Sequence, residues 1–193
     1  ALQHRTEGWA AGLHLAGLSL RSRPDPSAFI HAFAGDDRQI VDYLMAEVLD
    51  GLPAEIRAFL LRTSVLDRLS GPLCDAVAGG EGAQRILEEM ERSNLFLVRL
   101  DTRRRWYRYH HLFGDLLRHE LDRAEPGLAA VLHRRAWEWH QAHGNLAEAI
   151  GHAISAEDLA EARELIVSGW NACFNEGLVE TVEAWLDRLS PEI

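Results

Sequence analysis

Histidine and arginine are the residues of this chain with the most chemistry to offer. His110 and His111 stand side by side, directly after the run Arg105-Trp106-Tyr107-Arg108-Tyr109. An imidazole in the first turn of a helix adds an N–H to backbone donors that already attract anions, and protonation strengthens the contact. The same pair also suits a plainer role, capping its own helix or packing on Tyr109. Arg103, Arg104 and Arg105, with Arg99 and Arg108, place five arginines against one aspartate in residues 99–108. This basic patch reads as a wing touching a phosphate backbone or, more simply, as a solvated turn. His133, His140 and His143 share one helical stretch, and the last two, three positions apart, can face one way. A metal would need further ligands and a second shell, and no cysteine lies near. These three therefore read as surface histidines among Arg134, Arg135 and Glu138. Glu88, Glu89 and Glu91 suggest paired carboxylates, but neighbours along a helix point apart, so a solvated face is the better reading. There is no Gly-x-Ser-x-Gly, no Cys/His pair and no zinc-protease motif, so neither a catalytic residue nor a metal site is expected.

Composition excludes more. The chain has 193 residues, and its 20 basic residues, all arginine, face 30 acidic ones for a net charge of −10. Without lysine there is no Walker A phosphate loop, no Schiff base and no kinase-type catalytic lysine. An acidic chain also makes a poor non-specific nucleic-acid binder. Cys74 and Cys173 imply neither a disulfide framework nor a metal pair and read as small buried hydrophobes. No apolar run reaches membrane-span length and no signal peptide opens the chain, so no membrane contact and a cytoplasmic location are expected. The start without Met and the end at Ser190-Pro191-Glu192-Ile193 suggest a piece of a longer protein.

The elements that must position these groups are nearly all helical. Helical periodicity runs through 6–22, about 27–34 and 36–50, then through 53–66, 72–79 and 82–93. Pro24 to Ser27, Gly35, Gly51 and Gly79-Gly80 punctuate it. Residues 95–100 and 105–109 read as two strands joined by a turn at 101–104. The helical period returns at His110. Glu125-Pro126-Gly127 is the best domain boundary, and helices at 127–143, 146–156, 158–175 and 178–189 follow it. Trp137, Trp139, Trp170 and Trp185 read as helix-pair core. Short joints and the recurring Ala-Glu-Ala suggest the start of a helix-hairpin solenoid. Residues 145–193 carry ten acidic residues and two arginines, so most of the negative charge lies there. Three helices, a hairpin and a helix make the order of a winged helix. Its third helix, 84–94, carries three carboxylates that would repel phosphates, which favours a module working inside a protein over a DNA reader.

Three stretches carry a family resemblance: Thr6-Glu7-Gly8-Trp9-Ala10-Ala11-Gly12-Leu13, Phe59-Leu60-Leu61-Arg62-Thr63-Ser64-Val65-Leu66, and Trp106-Tyr107-Arg108-Tyr109-His110-His111-Leu112-Phe113-Gly114-Asp115-Leu116-Leu117. The chain resembles the MalT-like, large ATP-binding LuxR-family transcriptional regulators, which are signal-transduction NTPases with numerous domains. The resemblance covers nearly the whole chain and is most specific at Tyr-x-Tyr-His-His-Leu-Phe. It implies the end of a helical domain over 1–50, a winged helix over 51–124 and the first TPR-like repeats of a sensor over 125–193. The fold class is therefore mainly α: a helical segment, a winged helix of three helices and a β-hairpin, and an α-helical repeat.

By the same resemblance, the phosphate loop and the LuxR-type helix-turn-helix that binds DNA lie elsewhere in the parent protein. ADP or ATP would belong to that parent and no cofactor to this piece. A winged-helix histidine in related switch ATPases touches the phosphates of ADP, and His111 matches its position, with His110 the alternative. The family's usual Ala is Gly114 here, a weaker helix former. The partners implied are the upstream nucleotide-binding domain and a small-molecule or protein effector on the repeats. Two other roles compete: a stand-alone acidic repeat module that binds a basic partner, and a winged-helix DNA binder using Arg103, Arg104 and Arg105.

Overall fold

The computed structural model describes residues 49, 51–92, 96–175 and 185, with the side chains of 112 and 170–175 outside the description. The expected helices at 6–22 and 27–34 lie outside the described residues, as does nearly all of 36–50 and of 178–189. Within them the protein is mainly helical with one small sheet. Helices α1 (Ala54–Thr63), α2 (Gly71–Ala78) and α3 (Ala83–Arg92) precede strands β1 (Leu97–Arg99) and β2 (Tyr107–Tyr109). Helices α4 (His111–Ala124), α5 (Leu128–Ala142), α6 (Leu146–Ser155) and α7 (Leu159–Asn175) follow.

The first three helices are joined by specific devices. Pro53 precedes α1, where its missing N–H costs nothing. The α2 helix ends at Gly79, whose φ of +78° suits a left-handed cap. Arg62 and Arg135 donate to the carbonyls of Ala78 and Val77 at 3.2 and 3.0 Å, so two cations close the negative end of α2. Asp75 accepts the N–H of Ala83 at 2.9 Å and so holds the start of α3. Gly71 sits against Gln84: a Cβ there would lie 2.8 Å from the Gln84 Cβ and 3.2 Å from its Cα. The close approach of α2 to α3 therefore needs the missing side chain.

The hairpin is shorter than its aromatic alternation suggests. β1 and β2 pair antiparallel, with Leu97 opposite Tyr109 and Arg99 opposite Tyr107. The ladder ends there because the Arg105 and Trp106 amides turn to the Asp101 carboxylate, at 2.9 and 3.4 Å, leaving only the Trp106 carbonyl to accept the Leu100 N–H at 2.9 Å, and Arg104 adopts φ +55°. On its other side Tyr107 exchanges backbone hydrogen bonds of 2.7 and 2.9 Å with Leu69. β2 is thus flanked on both sides, by β1 and by a single bridge residue between α1 and α2 that the sequence pattern does not mark.

Two apolar clusters form. The first holds Leu60, Leu69, Leu73, Leu87, Phe113 and Leu117 and is the centre of the winged helix. The second holds Ile150, Ile154, Leu165, Ile166 and Trp185. α5 serves both: Leu132 and Ala136 are fully buried in the first, and Trp137 packs on the second. The turn at 125–127 exists, with Gly127 at φ +85°, but packing runs through it.

At the base of the winged helix, the Thr63 and Tyr109 hydroxyls meet at 2.7 Å, both buried and 46 positions apart. Burial pushes the Tyr109 hydroxyl far above its ordinary pKa, so it stays protonated. Thr63 also bonds the Phe59 carbonyl at 2.7 Å. Thr63→Val strands the Tyr109 hydroxyl and should cost about 1–3 kcal/mol, whereas Tyr109→Phe leaves Thr63 satisfied and should cost about 1 kcal/mol. Urea unfolding of the two variants should show that order; equal losses would mean that the hydroxyl pair does not carry the contact.

Candidate functional site

The hairpin hands the chain to α4 at His110. The His110 amide donates to the Phe96 carbonyl at 2.7 Å, and its own carbonyl accepts the Gly114 N–H at 2.9 Å. Phe96, at φ +55°, stacks on Phe113 with ring centroids 4.4 Å apart. This packing fixes where α4 begins. His110 is buried, His111 is half-buried, and their rings stack at 4.6 Å. The side chain of His110, the N-cap residue, makes no capping hydrogen bond to α4. Backbone donors of the first turn and the His111 ring therefore share one end of the helix, a geometry suited to an anion. His110 stands at the N-cap position and His111 at the first helical one.

The arginines of the hairpin do not form an open basic wing. Glu91 of α3 reaches Arg99 at 3.4 Å and Arg104 at 3.6 Å. Arg105 pairs with Asp101 at 3.7 Å, and the Gln84 amide donates to the Arg104 carbonyl at 3.0 Å. Burial works to raise the Asp101 carboxyl, but the two amides it accepts and the Arg105 charge outweigh that and hold it low. Arg103 is exposed on the turn, and Arg108 is half-buried and donates to the Tyr109 carbonyl at 3.2 Å. Glu91 is therefore not part of a merely solvated face: it ties the hairpin to α3. Exposed pairs of this kind are each weak, but together they neutralise much of the patch. Duplex DNA titrated at about 50 mM salt should show no saturable binding to this chain; binding that falls steeply with salt and is lost in an Arg103/Arg104/Arg105 triple glutamine variant would restore the DNA-reading role.

The helix-α5 histidines depart from expectation. His140 is 5% exposed and His133 half-buried, so they are not surface residues. Both pack against His152 of α6, which the sequence reading did not single out. The Nδ1 atoms of His133 and His152 lie 2.8 Å apart, so one donates and the other accepts. The rings of His140 and His152 stack at 5.5 Å. His143 stays exposed, stacked on Trp139 at 3.8 Å. No group of three His, Cys, Asp or Glu side chains among the described residues is arranged to hold a metal.

Burial dominates the charge state of this trio. It lowers the His133 pKa, with Asp67 opposing and Arg118 assisting. It lowers that of His140, with Glu148 opposing and His143 assisting. His152 falls to about 3 through burial and then through His133 and His140. These rings line a cleft of about 650 Å³ whose lining also includes Arg68, Trp106 and Arg118. The cysteine expectation is met at Cys74, which is buried and held as a thiol by that burial; the side chain of Cys173 lies outside the described residues.

Residues 45–129 match the MalT winged helix domain family model. Over 189 residues the chain is 40% identical to the HTH-type transcriptional regulator MalT of Klebsiella pneumoniae subsp. pneumoniae, covering 94% of this chain and 20% of that protein. The chain is MalT-like. MalT of Serratia proteamaculans is 38% identical over 192 residues, which are 96% of this MalT-like chain and 21% of that protein. A second kind of relative is the serine/threonine-protein kinase PknK of Mycobacterium tuberculosis, 42% identical over 166 residues, 86% of this chain and 15% of PknK. The MalT-like chain thus spans about a fifth or less of the curated relatives it matches. No described helix is long and apolar enough to cross a membrane.

A pH dependence follows from the trio. Each ring is neutral in the fold but takes a proton near pH 6.5 when unfolded. Below that pH the unfolded chain binds more protons, so stability should fall as the pH drops from about 6.5 towards 3 and stay level above it. Urea midpoints from pH 8 to 4 check this, and His152→Gln should flatten the acid limb, because one of the three rings no longer titrates.

Proposed function

We propose that this chain is the regulatory joint of a MalT-like, ATP-dependent transcription regulator that works in the cytoplasm. The winged helix closes onto an upstream nucleotide-binding domain with ADP between them, and the helical repeats carry the effector site. The observation that carries this reading is the start of α4. There His111 and the first-turn amides stand together at the hairpin exit. This end of the helix suits the phosphates of a nucleotide held by another domain. The chain itself acts as a switch component and not as a catalyst. Its lack of lysine agrees with a phosphate loop supplied from elsewhere in the parent. DNA contact belongs to a separate helix-turn-helix, since Glu91 and Asp101 occupy the wing arginines.

The identity with PknK favours a second reading, in which the same joint gates a protein kinase. The winged helix and repeats play the same part in both, and only the output differs. A phosphate-transfer assay and a promoter-binding assay on the parent protein separate the two.

His111→Ala in the parent tests the lock. The expected outcome is at least tenfold faster ADP release, about 1.4 kcal/mol, with output that no longer needs effector. Retained ADP with unchanged effector dependence overturns the role of His111.

A further inference from the structure

The cleft between the winged helix and the first repeat hairpin uses none of the groups assigned to nucleotide. Its volume, about 650 Å³, is in the range of small-molecule sites, about 300–1,000 Å³. From the lining of this cleft we propose that it binds a small zwitterion of the peptide class, a dipeptide or similar molecule with one free ammonium and one free carboxylate.

The charges on the rim argue for both ends. Arg68 lies with its guanidinium 4.9 Å over the Trp106 ring and makes no ion pair among the described residues. Arg118 is already held by Asp115 at 2.6 Å and by the Ser64 carbonyl at 3.2 Å. α6 starts at the cleft: Asn145, its N-cap, gives no side-chain cap, and Asn145, Ala147 and Glu148 all line the cavity. The Asn145 N–H is taken by the His140 carbonyl at 2.9 Å, so Arg68 and the Ala147 and Glu148 amides are the donors for a carboxylate. Asp67 and Glu148 are exposed at the rim, and neither has an ion-pair partner among the described residues. They suit an ammonium. A plain anion would meet both carboxylates, and a plain cation would meet Arg68.

The floor asks for a polar ligand as well. His140 is 5% exposed, and its Nδ1 has no hydrogen-bond partner among the described residues. A buried ring nitrogen left in this way is costly, and a peptide amide in the cleft would supply the missing partner. Trp106 and Trp185 offer aromatic walls for the side chains of such a ligand. The site takes groups from both apolar clusters, so a bound ligand would tie the winged helix to the repeats.

This proposal deepens the regulatory reading by giving the effector a place and a chemistry, but binding itself depends only on the cleft. The probe is phenylalanyl-phenylalanine, titrated by calorimetry into the 193-residue chain, beside its N-acetylated and C-amidated forms. The free dipeptide should bind at one site, and each blocked form should bind at least about tenfold more weakly, the worth of one charged hydrogen bond. Arg68→Gln should shrink the difference between free and amidated peptide, and Asp67→Asn/Glu148→Gln should remove that between free and acetylated peptide. His140→Leu should weaken all three. The rim variants change exposed side chains, and unaltered thermal melting verifies their fold. Absence of saturable binding by the dipeptide, or equal binding of the three forms, overturns the proposal. Binding as expected, with a parent whose His111→Ala variant keeps ADP, leaves the cleft standing and removes the lock; the reverse result removes the cleft alone.

Discussion

Everything downstream of the hairpin depends on α5 being packed on two sides. Leu132 and Ala136 are buried among the winged-helix side chains, and Trp137 faces the cluster formed with α6 and α7. A helix usually buries one stripe and solvates the rest. Here two stripes are taken, so the orientation of α6 and α7 is set by the winged helix and not by a linker. Arg135 adds a polar pin by closing the end of α2 at Val77. A displacement of the winged helix therefore cannot leave α6 and α7 where they were unless α5 gives up one of its two faces.

The winged helix is specialised for contacts within a protein by the same economy. In a DNA-reading version, the third helix and the wing must both present positive charge. Here α3 sends Glu91 to Arg99 and Arg104, while Asp101 closes the turn from inside. The arginines serve the hairpin's own geometry. At its exit stands the start of α4, whose position is set by the Phe96–Phe113 stack and by the Phe96 carbonyl.

Much of this was legible in the sequence. The seven described helices fall where the apolar period and the Gly and Pro punctuation put them, and the two strands fall within the runs 95–100 and 105–109. The family fingerprint proves to be largely structural: Arg62 closes α2, Thr63 meets Tyr109, and Tyr107 joins β1 to Leu69. What could not be read is long-range. A one-residue bridge at Leu69 has no period. The role of Glu91 depends on where the hairpin folds back. Trp137 and Trp139 differ in their cores because two clusters meet on one helix. His152 lies in an ordinary Ala-Ile repeat, and nothing local says that it faces His133.

The histidines show why residue type alone is a poor guide to chemistry. His111 sits half-buried beside the backbone donors of a helix start, where an added N–H reinforces a field that favours anions. His133, His140 and His152 are all desolvated, and a proton on His133 or His140 raises the cost of one on His152. A group with that burden cannot hold a charged phosphate by its own charge. It serves as a neutral donor or acceptor, and the 2.8 Å contact of His133 with His152 uses it that way. The spacing of His140 and His143 drew attention to the wrong pair, because the second ring that matters to His140 comes from another helix. Burial, set by the packing of α5 against α6, decides which imidazoles can work as cations and which must work as neutral hydrogen-bonding groups.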